Sequence, residues 1–227
     1  GLSIICSMMK SIGLKKGLLL VGDTSSQMIS PRDKSAMPLF GDAGAATGIA
    51  FDETAAPMFF DLGTDGSGSD AIIVTDGGCR NRITPDSFTY EVIDEGIERN
   101  RTHLVLDGMD VFSFGISQAP KTVNALLEKW HINKENIDYF IFHQANQMMN
   151  KMISKKLKLP DVKVPYTIQQ FGNTSSASIP LTLVSQLKDA VTHNRKNLLF
   201  CGFGVGLSWG TVFVETSHLI VPALVEV

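Results

Sequence analysis

Two short stretches, Phe142-His143-Gln144-Ala145-Asn146 and Phe171-Gly172-Asn173-Thr174-Ser175, decide how this chain reads. The run Tyr139-Phe140-Ile141-Phe142 is too apolar for a surface strand, so it delivers the His143 imidazole to the C-terminal edge of a sheet, where ligands bind in open α/β folds. Asn173 likewise follows what reads as a strand ending at a glycine, and a run of small residues then opens a helix. A core histidine bonded to a backbone carbonyl, or an asparagine in a turn with Thr174 or Ser176 as helix cap, would explain either residue alone. Neither explains why a second neutral donor follows the first in a similar position. Two such donors at strand ends suggest an oxyanion-binding pair.

A third segment, Gly202-Phe203-Gly204-Val205-Gly206-Leu207-Ser208-Trp209-Gly210, joins two strands. Its glycines let the backbone approach a ligand and expose its N–H groups, although a tight hairpin with a bulge has the same composition. It is not a phosphate loop, because the Lys-Ser/Thr ending is missing and a strand follows.

Outward from these segments the chain alternates. Strands are expected at Thr102–Leu106, Tyr139–Phe142, Val164–Ile168, Asn197–Cys201 and Ser208–Glu215. Helices are expected at Gly108–Trp130, Asn146–Leu159 and Ser176–His193, and the class is therefore layered α/β. Residues 3–12 read as the tail of a helix, and Leu18–Val21 and Ala45–Phe51 as two strands of a sheet whose beginning is absent. From Thr54 to Arg82 the sequence turns to Gly, Asp, Ser and Thr, which reads as a boundary or a long surface excursion. The division is placed near residue 56, giving units 1–56 and 57–227. The apolar tail His218–Val227 is left as an extra strand or an interface.

The bulk properties exclude several classes. With 227 residues, 44% hydrophobic and 19% charged, the chain can bury a sizeable core and lies far from the disordered regime. A net charge of −3 without a basic block argues against nucleic acid as a partner. No apolar run is long enough to span a bilayer and no signal peptide is evident, so the expected address is the cytoplasm. Cys6, Cys79 and Cys201 are widely spaced without a C-x-x-C pair, so neither a disulfide framework nor a metal site is expected, and no cofactor is called for. Of the five histidines, His103, His131, His193 and His218 lie in surface or turn contexts.

Taken together, the His-Gln-Ala-Asn, Gly-Asn-Thr-Ser-Ser-Ala-Ser-Ile-Pro and Phe-Gly-x-Gly-x-Ser-Trp-Gly segments resemble the C-terminal half of the decarboxylating condensing enzymes of the thiolase-like fold. Within these the chain is most similar to the β-ketoacyl-acyl-carrier-protein synthase III family. Leu39-Phe40-Gly41-Asp42 and Gly108-Met109-Asp110-Val111-Phe112 also fit, so the resemblance spans almost the whole chain. It implies a complete C-terminal thiolase-like half over 57–227 and a truncated N-terminal half over 1–56.

The resemblance further implies a decarboxylative Claisen condensation between an acyl thioester and a malonyl thioester. His143 and Asn173 would be two of three catalytic residues, holding the enolate, and the Val205 backbone N–H would help hold a second oxyanion. Gly108, Phe112, Asn146, Gly204 and Gly206 would line the substrate site. Lys151, Lys155 and Lys158, expected on one face of a helix, would dock an acidic acyl-carrier protein unless that face is simply solvated. Coenzyme A thioesters and a second copy of the enzyme, forming a homodimer, are the other implied partners.

Two departures stand out. The family's nucleophilic cysteine would precede Gly1, and neither Cys6, Cys79 nor Cys201 replaces it. Met148 and Met109 stand where an arginine and an asparagine often contact the carrier or its pantetheine arm. A non-catalytic partner subunit is the competing reading, against which the intact His–Asn pair speaks. A thiolase fits less well, since no second cysteine occupies a corresponding loop.

Overall fold

The computed structural model describes residues 1–217 and 219–226. In chain order the elements are α1 (Leu2–Ile12), β1 (Lys16–Asp23), β2 (Ala43–Ala50), β3 (Phe59–Thr64), β4 (Ile72–Val74), β5 (Glu91–Asp94), β6 (Ile97–Arg99) and β7 (Leu104–Leu106). There follow α2 (Gly108–Lys129), β8 (Tyr139–Phe142), α3 (Gln147–Lys156), α4 (Ile168–Phe171), α5 (Ser178–Gln186), α6 (Lys188–His193), β9 (Lys196–Gly204) and β10 (Ser208–Thr216). The α/β class holds.

One four-stranded sheet, in the order β3-β10-β9-β8, carries the molecule. Its β8 runs parallel to β9, as expected for strands joined through helices, while β9–β10 and β10–β3 are antiparallel. Both β8 and β9 are apolar on both faces because helices cover both. Phe140, Phe142, Leu199 and Cys201 pack with Val123 and Leu126 of α2 and Met149 and Ile153 of α3 on one side. On the other side Ile141 and Leu198 meet Leu187, Val191 and Val221.

The helix α2 starts cleanly because the Asp107 carboxylate accepts hydrogen bonds from the N–H groups of Met109 and Asp110. Farther along α2, Thr122 donates to Asp61 of β3 at 2.6 Å and lies 3.1 Å from Thr211 of β10. These bonds supply partners for polar groups where helix meets sheet.

The sequence-based expectations need four corrections. First, the Gly- and Ser-rich stretch after Thr54 is not all excursion, since Phe59–Thr64 is an edge strand of the main sheet. Phe59 and Phe60 carry its apolar signal, diluted by the surrounding turn residues. Second, Val164–Ile168 is not a strand. It is a 3₁₀ turn at Asp161–Lys163, an extended link and the short helix α4. Third, the expected helix Ser176–His193 is broken at Leu187, which leaves helical geometry with φ −120° and ψ 3°. Fourth, α3 stops at Lys156, so Lys158 lies beyond it.

The strands β1 and β2 pair with each other alone among the described residues, and Leu18 and Leu20 on β1 remain 60% and 68% exposed. In the tail no strand forms between Leu219 and Glu226, and Val221 packs into the core; His218 and Val227 lie outside the described residues.

Candidate functional site

His143 is the first residue after β8, and its N–H extends the ladder by donating to the Cys201 carbonyl of β9 at 2.9 Å. The imidazole stands edge-on to Phe203, with centroids 5.5 Å apart. Its Nδ1 lies 2.7 Å from the Ser178 hydroxyl in the first turn of α5. Burial disfavours the imidazolium and pushes the His143 pKa down to about 4, against a smaller upward pull from the Ser175 backbone. At neutral pH the ring is therefore uncharged, a donor at one nitrogen and an acceptor at the other.

Asn173 does not end a strand as the sequence suggested. It follows the four-residue helix α4, and Gly172 between them takes φ +66°, a conformation glycine adopts without strain. Asn173 then pairs with Phe40 in an isolated parallel bridge, its N–H donating to the Leu39 carbonyl at 2.8 Å and its carbonyl accepting from Gly41 at 3.0 Å. A Cβ at Gly172 would sit 2.9 Å from the Leu39 oxygen, and one at Gly41 would overlap the Phe171 carbonyl. Two glycines thus let the backbones of 39–41 and 171–173 interlock.

The Asn173 side-chain oxygen accepts from the Ser175 N–H at 3.0 Å, and its NH₂ group has no hydrogen-bond partner among the described residues. Ser175 itself has φ +49°, a left-handed position that costs energy for a residue with a Cβ. The next residue, Ser176, donates through its N–H and hydroxyl to Asp23 at the end of β1. Burial raises the Asp23 pKa, but the bonds from Ser176 and Ser175 together outweigh it and the net shift is downward. The arm 173–178 therefore carries Asn173, contacts His143 and is clamped to the N-terminal segment.

The glycine segment forms a hairpin whose last pair is Gly204–Ser208. Val205 sits at its tip, 65% exposed, and Gly206 takes φ +140°. Phe203 connects this tip to the histidine. The remaining expected residues are more dispersed. Gly108 and the partly buried Phe112 lie in the first turns of α2. Asn146 caps α3, its Oδ1 accepting from the Met149 N–H at 2.8 Å. Lys151 and Lys155 line a shallow depression on α3 with Gln147, Met148 and Met152. Lys158 does not share that face; at φ +54° it is the left-handed residue that terminates the helix.

The three cysteines lie in different surroundings. Cys201 is fully buried on β9 and its thiol is pushed up to about 12. Cys6 lies inside α1, its pKa raised by burial, and Cys79 is on an exposed loop. Residues without an assigned role in the sequence prove to hold the site. Gln144, fully buried, donates to the Phe142 carbonyl at 2.9 Å and accepts from the Thr167 N–H at 3.0 Å. A glutamine inside an otherwise apolar, buried stretch was the available signal. Among the described residues no group of three or more His, Cys, Asp or Glu side chains is arranged to hold a metal. No helix there is long and apolar enough to cross a membrane.

The chain is similar to known proteins in both sequence and fold. Residues 1–66 match the model of 3-oxoacyl-[acyl-carrier-protein] synthase III, and residues 127–216 match the model of its C-terminal domain. The chain belongs to the 3-oxoacyl-acyl-carrier-protein synthase III family. It is 32% identical over 204 residues to the β-ketoacyl-[acyl-carrier-protein] synthase III of Clostridioides difficile, covering 89% of this chain and 60% of the relative. The enzyme of the same name from Phocaeicola vulgatus is 33% identical over 208 residues, covering 91% and 59%.

The crystal structure of 3-oxoacyl-(acyl-carrier-protein) synthase from Burkholderia xenovorans superposes with a TM-score of 0.88 at 36% identity, covering 98% of this chain and 62% of that one. A 2.1 Å structure of 3-oxoacyl-(acyl-carrier-protein) synthase III gives 0.89 at 33% identity, covering 94% and 64%. The fold is thus thiolase-like α/β, and the chain spans about three fifths of the length of these relatives.

Proposed function

We propose that this chain carries the oxyanion-binding half of a condensing enzyme that joins an acyl thioester to a malonyl thioester with loss of carbon dioxide. The observation that carries the reading is an uncharged imidazole in contact, through Ser178, with the arm that also bears an asparagine whose NH₂ has no partner among the described residues. When the malonyl carboxylate leaves as carbon dioxide, its bonding pair passes to the thioester as an enolate. Fixed neutral donors stabilise the negative oxygen without transferring a proton to it. A histidine that stays neutral at working pH suits this role, and an amide cannot serve as an acid.

The enolate carbon then attacks an acyl group held on a thiolate, and Val205 at the hairpin tip supplies an N–H to the oxyanion formed in that step. Since no cysteine here is suitably placed, the nucleophile comes from outside these 227 residues. Residues 1–56 and 57–227 belong on this reading to two thiolase-like halves, and the complete enzyme works as a homodimer. Gly108, Phe112, Asn146, Gly204 and Gly206 border the path of the thioester arm. Lys151 and Lys155 give α3 a basic face on which an acidic carrier protein would dock.

The test is Asn173→Asp in the full-length protein, read by carbon dioxide release from a malonyl thioester. Placing a carboxylate against the enolate should lower the rate by about 10²–10³, the usual worth of one oxyanion donor. Unchanged release would remove Asn173 from the site. An inactive wild type retaining its fold would favour a non-catalytic subunit.

A further inference from the structure

A closed circuit of buried hydrogen bonds surrounds His143, and its protons can be counted. Gln144 donates to the Phe142 carbonyl and accepts from the Thr167 N–H. The Thr182 hydroxyl donates to the Ser178 carbonyl at 2.8 Å, which uses its only proton. Thr167 and Thr182 hydroxyls lie 2.8 Å apart, so Thr167 must be the donor between them. Ser178 then approaches His143 Nδ1 at 2.7 Å and closes the circuit. Gln144, Thr167, Ser178 and Thr182 are all at most 2% exposed.

One proton in this circuit remains to be placed, that of Ser178. Among the described residues its hydroxyl has no hydrogen-bond partner other than the histidine. If Nδ1 carried the imidazole proton, directed toward Ser178 or the Ser175 backbone, the buried Ser178 O–H would be left without an acceptor. An unsatisfied buried donor is costly, whereas donation from Ser178 to a bare Nδ1 satisfies both groups. The positive end of α5, which Ser178 begins, also disfavours protonating both nitrogens.

We propose that Ser178 is a positioning residue that fixes His143 as the Nε2–H tautomer, so that the ring presents a donor rather than a lone pair to the site. The inference deepens the proposed condensing function and rests on it for its kinetic consequence, but the tautomer itself does not depend on that function.

The experiment uses the full-length protein labelled with ¹⁵N-histidine. His143 is assigned by its loss in His143→Gln, and the two ring nitrogens are read by long-range ¹H–¹⁵N correlation in the wild type, Ser178→Ala and Ser178→Cys. The expected wild-type result is an unprotonated Nδ1 and a protonated Nε2. Ser178→Ala should populate the other tautomer and lower kcat for malonyl decarboxylation about tenfold, as for one lost hydrogen bond, with KM unchanged. Ser178→Cys, which keeps the side-chain size and a weak donor, should recover part of both signals.

A protonated Nδ1 in the wild type would overturn the proposal, and so would an unchanged tautomer and rate in folded Ser178→Ala. A wild type with the expected tautomer and no decarboxylation would uphold the positioning role while rejecting the condensing function.

Discussion

His143 and Asn173, the two proposed donors, are held in different ways. The histidine is fixed from within the main sheet, by the β8–β9 ladder, the ring of Phe203 and a circuit of side-chain hydroxyls and an amide. The asparagine is fixed from outside that sheet, by backbone bonds to Leu39 and Gly41 and by the Asp23 clamp on Ser176. One half of the site therefore depends on the core and the other on docking of the N-terminal segment. Perturbations of the two supports should separate the two donors.

The largest effect is expected at the interlock. Gly41→Ala drives a methyl group into the Phe171 carbonyl and must displace the segment that Asn173 pairs with. Malonyl decarboxylation should fall by about 10²–10³, equivalent to loss of one donor, while the His143 ring-nitrogen signals remain as in the wild type. A coupled change in both would show that the supports are not independent.

The histidine support should reveal itself through pH. A pKa near 4 in the folded protein, against about 6.5 in an unfolded chain, means that the unfolded state binds this proton first as pH falls. The associated stability is fully present above about pH 6.5, is lost progressively down to pH 4, and amounts to on the order of 3 kcal/mol. Urea unfolding of wild type and His143→Gln across this window should diverge in slope. Parallel curves would mean that the imidazole remains solvated.

Next in size is Gln144→Leu, which removes the acceptor for the buried Thr167 N–H and the donor to Phe142. It should cost about 1–3 kcal/mol in chemical denaturation and loosen His143 without disturbing the Leu39–Asn173 bonds. The smallest effect on stability belongs to the exposed lysines. Lys151→Glu with Lys155→Glu should shift folding by less than about 1 kcal/mol. Use of a carrier-protein substrate should nevertheless weaken, most at low salt, with coenzyme A thioesters less affected. Equal effects on both substrates would leave this face without a docking role.

The same contrast governs what could be read from the sequence. The His143 support was legible because Tyr139–Phe142 is a continuous apolar run with one possible use, a buried strand. The Asn173 support was not. Phe171 looks like a strand end, yet Gly172 turns the chain in a left-handed conformation out of a short helix and into a pairing with a segment far away in the sequence. Local patterns carry no record of such a partner. The edge strand Phe59–Thr64 escaped for a related reason, since turn-forming residues surround it and only its pairing with β10 makes it a strand. Lys158 was placed on a helical face by spacing alone, but the helix ended two residues sooner.

The pairing of Phe40 with Asn173 has a further consequence, for the order in which the molecule assembles. The strands β8, β9 and β10 and helices α2 and α3 can collapse through contacts among neighbours in the last half of the chain. The bridge between residues 40 and 173 must instead close a loop spanning most of the polypeptide, and such closures come late because their entropic cost precedes their reward. On this order the second donor arrives only after β8, β9 and β10 have paired. A nascent or partly folded chain would hold a finished histidine beside an unplaced asparagine, chemically silent toward malonyl thioesters until the whole protein has closed around it.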